Sequence, residues 1–250
     1  MTTALLLYIL LGILPSLVWL NFYLREDSHP ESNRMIIKVF VLGMLSALPA
    51  VLLEKWFHVF SLNPRHFLSN AFNIFIGVAL IEEFAKYSAV WIGLFRQTDG
   101  NKAESALDEP TDIMIYMIIA GLGFAALENI FLLVSTNFHL QSTLLLTFLR
   151  FIGATFLHAL ASGIFGFLIA LSYFELKKRK RLFLIGLLLA TALHGLYNFF
   201  IMESRTLSPV ITAFIIFSVL INFGVFVSFA FRKLRGIKSV CKLPKTLFLD

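Results

Sequence analysis

The stretch IMIYMIIAGLGFAALENIFLLV, residues 113–134, decides the fold of this chain. It is apolar over a length that can cross the ~30 Å hydrocarbon core of a bilayer, for which a helix needs about 20 residues. Glu128 is its only charged residue. A carboxylate at the centre of a spanning helix costs roughly 2.5–3.5 kcal/mol on insertion scales. The stretch therefore predicts a membrane-spanning helix that carries a polar site.

Six further apolar stretches surround this one. Of the 250 residues, 58% are hydrophobic and 14% are charged, and a soluble domain cannot bury so large an apolar fraction. We expect an all-α fold, a polytopic membrane helix bundle that forms a single integral membrane domain over residues 1–250. The expected transmembrane helices, numbered 1 to 7 in chain order, cover residues near 4–24, 35–54, 69–95, 113–136, 144–174, 182–203 and 208–231.

Basic residues collect at one end of these helices, which predicts the orientation. That end includes the run 177–181 and the tail 232–250, whereas the opposite end carries Lys55, Arg65 and Arg205. The positive-inside rule puts the basic end in the cytoplasm, so we expect the N-terminus outside and a basic cytoplasmic tail. The net charge of +6 follows from this arrangement, and nucleic-acid binding is not indicated. The single cysteine excludes an internal disulfide and a cysteine-rich metal site.

Ionisable residues inside the spans lie in helices 3 to 6 and are nearly absent from the middles of the others. Such residues face the bundle interior or a water-filled cavity. We therefore expect helices 3 to 6, residues 69–203, to form the functional core, with the peripheral helices 4–24, 35–54 and 208–231 packed around it. The polar residues of this core are Glu82, Glu83, Lys86, Glu128, Asn129, His158, His194 and Asn198. Arg150 is a further basic residue inside a span.

Spacing and charge within this set favour a hydrolytic metal site. Lys86 follows the two glutamates at i+3 and i+4, so it can pair with either of them. The glutamates at 82, 83 and 128 with Lys86 sum to a formal charge of −2 when the histidines are neutral, and a divalent cation would cancel it. Two histidines and a glutamate around one open position form the ligand set of a catalytic zinc ion. Without a metal, glutamate and histidine could still activate a water molecule directly.

The motifs, taken in order, resemble the PrsW family of intramembrane proteases, a branch of the superfamily that includes the CAAX prenyl proteases. They cover helices 3 to 6 and read Glu82-Glu83-x-x-Lys86, Phe124-x-x-x-Glu128, His158 and His194-x-x-x-Asn198. Relatives often carry an acidic residue where this chain has Asn198. The resemblance implies a protease of the bacterial plasma membrane that cleaves a peptide bond of a membrane-anchored protein substrate. For the best-known type of member, it implies an anti-sigma factor as the substrate.

Seven residues of the set have an expected role. We expect Glu128, His158 and His194 to bind a divalent metal, with zinc favoured. Glu82 and Glu83 are the expected base and additional ligand at the activated water. Lys86 would hold the glutamate pair, and Asn198 would polarise the scissile carbonyl as an oxyanion donor.

Three other functions are compatible with parts of this pattern. A proton- or cation-coupled transporter would use an intramembrane Glu/His chain, although the sequence lacks the paired repeats that many transporters have. A serine intramembrane protease would use Ser162 with His194, but it would leave every carboxylate unexplained. A catalytically inactive scaffold would need neither the acids nor the histidines. The aspartyl class is excluded because no aspartate lies inside a predicted span.

Overall fold

Seven helices form the chain where the structure describes it. The computed structural model describes residues 2–26, 31–59, 67–95, 107, 109–135, 139–202 and 208–237. The helices, numbered in chain order, are α1 (Thr2–Leu24), α2 (Asn33–Val59), α3 (Phe67–Ile74, Phe75–Leu80 and Ile81–Phe95), α4 (Pro110–Ser135), α5 (Leu140–Arg150, Phe151–Thr155 and Phe156–Phe174), α6 (Arg179–Met202) and α7 (Pro209–Arg235). A short 3₁₀ turn, Leu176–Lys178, joins α5 to α6.

All seven helices are long and apolar enough to cross a membrane, which confirms the predicted all-α polytopic bundle. The predicted bounds are close, but α5 and α6 begin earlier than expected, at Leu140 and Arg179, and α2 and α7 end later, at Val59 and Arg235. Residues 238–250 of the predicted basic tail lie outside the described residues, as do 96–106 of the longest predicted connection. The orientation of the bundle across the membrane stays a prediction.

Helix α4 lies at the centre of the bundle and packs against α1, α2 and α5. Glycines permit this close packing because a side chain at their positions would collide with backbone. A Cβ atom at Gly121 would lie 2.9 Å from the carbonyl oxygen of His158 on α5. One at Gly123 would lie 3.1 Å from the backbone nitrogen of Met44 on α2. The small residues of this stretch therefore allow two neighbouring helices to approach α4 directly.

Two helices change their winding next to the polar residues. In α3 the segment Phe75–Leu80 is π-helical, and in α5 the segment Phe151–Thr155 is π-helical. Single π-helical turns inside α-helices are rare and often lie at functional sites. The first ends two residues before Glu82, and the second ends three residues before His158. Each turn therefore rotates the following residues relative to the preceding half of its helix, and so sets the direction of these two side chains.

Candidate active site

Helices α3, α4, α5 and α6 bring the predicted polar residues together inside the bundle. Glu82, Glu83 and Lys86 of α3 are buried, as are His158 of α5 and His194 of α6. The imidazole rings of the two histidines are 5.0 Å apart, with an interplanar angle of 84°. Burying this many ionisable groups is costly unless they are paired, so the contacts between them decide what the site can do.

His194 is oriented by a carboxylate. Its Nδ1 lies 2.8 Å from Oε1 of Glu83. When Nδ1–H donates to this carboxylate, the lone pair of Nε2 is directed to the other side of the ring, where Oε2 of Glu82 is 3.7 Å away. A carboxylate that accepts the second N–H of a histidine is the usual partner of a metal-binding imidazole. The adjacent glutamates therefore contact opposite nitrogens of one ring.

His158 has the same kind of partner on a different helix. Its Nε2 lies 2.9 Å from Oε2 of Glu128 on α4. This carboxylate also accepts a hydrogen bond from Nη2 of Arg150 at 2.7 Å. The Glu128 side chain is 37% exposed, whereas that of His158 is 2% exposed. Glu128 and Arg150 thus form the accessible edge of the site, and His158 lies inside it.

Lys86 connects the two halves of the site. Its ammonium donates to Oε1 of Glu83 at 2.6 Å and contacts Nδ1 of His158 at 2.7 Å. Oε2 of Glu82 is 3.6 Å from Nζ of Lys86. The centroid of the Phe124 ring is 4.7 Å from the same Nζ atom. The ammonium therefore occupies a position in which a cation contacts both α3 glutamates and an imidazole.

Three residues near the site have no role predicted from the sequence. Arg150 stands out in the sequence only as a charge inside a span, and here it pairs with Glu128 and donates from Nε to the Asn129 side chain. Asn129 in turn donates to Thr155 Oγ1 at 3.1 Å and to the carbonyl oxygen of Gly12 at 3.2 Å. Glu54 of α2 is close enough to interact electrostatically with Glu128 and Lys86. Glu54 precedes Lys55 at the predicted end of a span, where a charged residue does not indicate a functional site.

Asn198 and Ser162 occupy different surroundings. Asn198 is half-buried on α6, one turn after His194, so the two side chains lie on the same face of the helix. Ser162 packs beside Gly121, and its buried hydroxyl has no hydrogen-bond partner among the described residues. The paired serine and histidine that a serine protease needs are therefore not found in this part of the chain.

The residues present fit a divalent cation. One ligand atom each from Glu82, His158 and His194 lies within 4.8 Å of the other two, and this donor set is that of hydrolytic zinc sites. Near the site, three buried carboxylate oxygens, on Glu54, Glu82 and Glu83, have no hydrogen bond to any described residue. Buried anionic oxygens normally have partners. The Glu82 oxygen is the one that faces His194, so it is the available ligand of the set.

The predicted metal ligands and this group differ in one residue. Both contain His158 and His194, but the sequence predicts Glu128 as the third ligand, and the group in the structure contains Glu82. Glu128 is instead bonded to Nε2 of His158 and to Arg150. The assignment of ligand and base among the glutamates stays a prediction.

These features define a polytopic membrane protein with a buried Glu/His/Lys centre, and sequence comparison identifies its family. Residues 31–228 match the PrsW family intramembrane metalloproteases, so the chain belongs to this family and is an intramembrane protease. The predicted resemblance is therefore confirmed. It is similar to Protease PrsW of Geobacillus kaustophilus (strain HTA426), with 28% identity over 78% of this chain and 79% of the relative.

Other relatives give the same result. Protease PrsW of Oceanobacillus iheyensis is 26% identical over 82% of this chain and 87% of the relative. Protease PrsW of Bacillus subtilis (strain 168) is 26% identical over 75% of this chain and 79% of the relative. No solved structure matches the chain at a significant level.

Proposed function

We propose that the chain hydrolyses a peptide bond of a membrane-anchored protein substrate at a centre made of Glu82, His158 and His194. The observation that carries this proposal is the convergence of one ligand atom from each residue within 4.8 Å. Each histidine has one ring nitrogen against a carboxylate. The other nitrogen of His194 faces Glu82 at 3.7 Å, and that of His158 contacts Lys86. The transporter alternative has no such observation in its favour.

The residues of the site have different roles in the proposed hydrolysis. Glu82 supplies a carboxylate oxygen without a hydrogen bond as a ligand, and the second oxygen of the same carboxylate accepts the proton that the attacking water loses. Glu83 and Glu128 hold His194 and His158 in position. Lys86 keeps the α3 carboxylates together, and Asn198, one turn from His194, donates a hydrogen bond to the carbonyl oxygen as it becomes negative. The buried setting strengthens each of these interactions.

A divalent cation, with zinc favoured, belongs to this proposal. Glu82, His158 and His194 would hold it, and it would supply Lewis-acid activation of the attacking water. In the structure the ammonium of Lys86 lies 2.7 Å from Nδ1 of His158 and 3.6 Å from Glu82. A cation held at Nδ1 of His158 would replace the Lys86 contact there, and Lys86 would keep Glu83 as its partner.

The position of the centre supports a membrane-anchored substrate. Glu82, His158 and His194 lie within three membrane-spanning helices. A peptide bond therefore reaches them only from within or beside the bilayer. A membrane-anchored protein fits this requirement. The family resemblance further suggests an anti-sigma-factor-like protein in a bacterial plasma membrane.

Peptide mapping of whole membranes tests the proteolytic activity even though the substrate is unidentified. The full chain and its His194→Ala variant are expressed at equal levels in a host lacking the gene, and new protein N-termini are labelled and sequenced by mass spectrometry. We expect new N-termini in or next to membrane spans of other proteins with the parent only. Identical sets of N-termini from both strains would contradict the proposal.

Elemental analysis tests the metal and its ligands. We expect about one zinc per chain in the purified parent, and its loss in Glu82→Gln. The matched variant Glu128→Gln, which changes a carboxylate outside the converging group, should retain the metal. Loss of zinc in Glu128→Gln with retention in Glu82→Gln would support the ligand set expected from the sequence. A metal-free parent that cleaves normally would contradict the metal proposal alone.

A further inference from the structure

The contacts of His158 define which of its ring nitrogens is left for a metal. An ammonium can only donate a hydrogen bond, and that of Lys86 lies 2.7 Å from Nδ1 of His158, so Nδ1 accepts. The ring hydrogen is therefore on Nε2, which donates to Oε2 of Glu128 at 2.9 Å. This leaves Nδ1 to converge with Glu82 and His194. The position of the Glu128 carboxylate therefore decides the direction of the imidazole.

The carboxylate of Glu128 has less support on its own helix than that of Glu83. Glu83 is fully buried and contacts the ammonium of Lys86, one turn away on α3, at 2.6 Å. Glu128 is 37% exposed, and its helix α4 contains no lysine or arginine. A glutamate side chain loses much rotamer freedom when it is held in one place. A partner from another helix is therefore needed to hold it.

Arg150 on α5 is this partner. Its Nη2 donates to the same Oε2 of Glu128 at 2.7 Å, in a charge-assisted hydrogen bond. Its Nε donates to the side chain of Asn129. The Asn129 amide in turn donates to Thr155 Oγ1 at 3.1 Å and to the carbonyl oxygen of Gly12 at 3.2 Å. The donors of a guanidinium have a fixed geometry, so these contacts together set the place of Nη2 at Glu128.

The π-helical segment Phe151–Thr155 helps Arg150 and His158 to reach one carboxylate oxygen. The two residues are eight positions apart on α5. In a regular α-helix of 3.6 residues per turn, their side chains would point about 80° apart around the axis. A π-helical turn contains more residues and so reduces this angle. The winding of α5 therefore brings both donors to the same side of the helix.

We propose that Arg150 is a positioning residue, which fixes Glu128 and thereby aligns Nδ1 of His158 with a bound cation. This inference rests on the metal-assisted centre proposed above. If Arg150 acted only through its charge, its removal would tighten metal binding, because a nearby cation repels the metal. If it acts through His158, its removal weakens metal binding by about 10- to 100-fold, as for other residues that orient a histidine ligand.

The zinc affinity of the purified full-length protein tests this role without a substrate. It is measured in detergent by competition with a chelator. We expect Arg150→Met to weaken zinc binding by about 10- to 100-fold. Arg150→Lys keeps a cation for Glu128 without the planar fork, so its affinity should lie between those of Arg150→Met and the parent. Unchanged or tighter zinc binding in Arg150→Met, or no recovery in Arg150→Lys, would overturn the proposal.

Lys38→Met is the matched control for a general loss of stability. The Lys38 ammonium donates to the carbonyl oxygen of Gly93 at 2.6 Å, so this variant also removes a cation and a hydrogen bond between two helices. Gly93 lies about two turns beyond Lys86 on α3. Lys38→Met should therefore change the zinc affinity by less than about twofold. Equal losses in Lys38→Met and Arg150→Met would overturn the positioning role.

The same measurement separates this inference from the proposed function. A parent protein that binds no zinc would overturn the role of Arg150 together with the metal proposal. Proteolysis itself is judged independently, by the new N-termini that the parent produces. A parent that cleaves and binds zinc, with an Arg150→Met variant of equal zinc affinity, would overturn the positioning role alone.

Discussion

Glu82 and Glu83 are neighbours in sequence, yet at the residue scale they have different surroundings. Glu83 is fully buried and its Oε1 contacts both Lys86 and His194. Glu82 has no such short contact, and its Oε2 is 3.6 Å from Lys86 and 3.7 Å from His194. One carboxylate is therefore a fixed structural partner, and the other is available to the reaction.

This difference predicts opposite effects of the same substitution. Glu82→Gln should abolish cleavage with little change in stability, because its oxygen makes no hydrogen bond that the amide would lose. Glu83→Gln should lower the free energy of unfolding by about 3–5 kcal/mol, because it leaves the Lys86 ammonium buried with a weaker partner. Thermal unfolding and cleavage of a substrate found by N-terminal mapping measure both effects. Equal destabilisation by the two variants would contradict the assignment.

The Arg150–Glu128 pair predicts a measurable energetic coupling. Arg150→Met should reduce the free energy of unfolding by about 1–3 kcal/mol, because Glu128 and Asn129 lose their donor. The double variant with Glu128→Gln should cost less than the sum of the two single variants by at least about 0.5 kcal/mol. If the losses in the free energy of unfolding from the two single variants simply add in the double variant, the two side chains are not coupled.

At the scale of elements, the helices were predictable but the turns that direct the site residues were not. Long apolar runs give the seven spans directly. The π-helical segments Phe75–Leu80 and Phe151–Thr155 contain only apolar residues, one glycine each and a threonine, a composition that regular parts of α4 also have. The rotation that they add depends on the packing of whole helices, which local sequence does not encode.

The packing of α4 predicts a contrast between glycines. Gly121→Ala and Gly123→Ala should each lower the free energy of unfolding by about 1–3 kcal/mol, because the added methyl group meets backbone of a neighbouring helix. Gly224→Ala in α7 is the matched control, since its Cβ would meet only the Phe156 ring at 3.4 Å. It should be neutral or stabilising by up to about 1 kcal/mol, as expected for glycine replaced within a helix. Unfolding in detergent measures all three.

At the scale of the whole molecule, the sequence predicted which residues converge but not every partner that they have. The glutamates and histidines were identifiable because an ionisable group inside a span is expensive. The contacts of Arg150 were not predictable because its partners lie on another helix, and no spacing along one helix predicts a contact of this kind. Whether Glu82 or Glu128 joins the two histidines also depends on the direction of the side chains, which position in the sequence does not give.

The predicted orientation can be tested with the single cysteine. Cys241 lies in the basic tail that we expect in the cytoplasm. A membrane-impermeant maleimide should therefore label the protein in inverted vesicles and not in intact cells. The variant Cys241→Ser/Ser204→Cys moves the thiol to the predicted outer side and should reverse the result. Labelling of Cys241 in intact cells would contradict the orientation.

The position of Lys86 also bears on how the protein is made. Its positive charge is encoded one turn after the two acids of α3, so this segment carries its own counter-ion while it enters the bilayer. Membrane integration then requires no dissolved metal. Growth in medium depleted of zinc should leave the quantity of inserted parent protein unchanged, whereas Lys86→Met should lower it at every zinc concentration. Quantitative immunoblots of washed membranes measure this dependence.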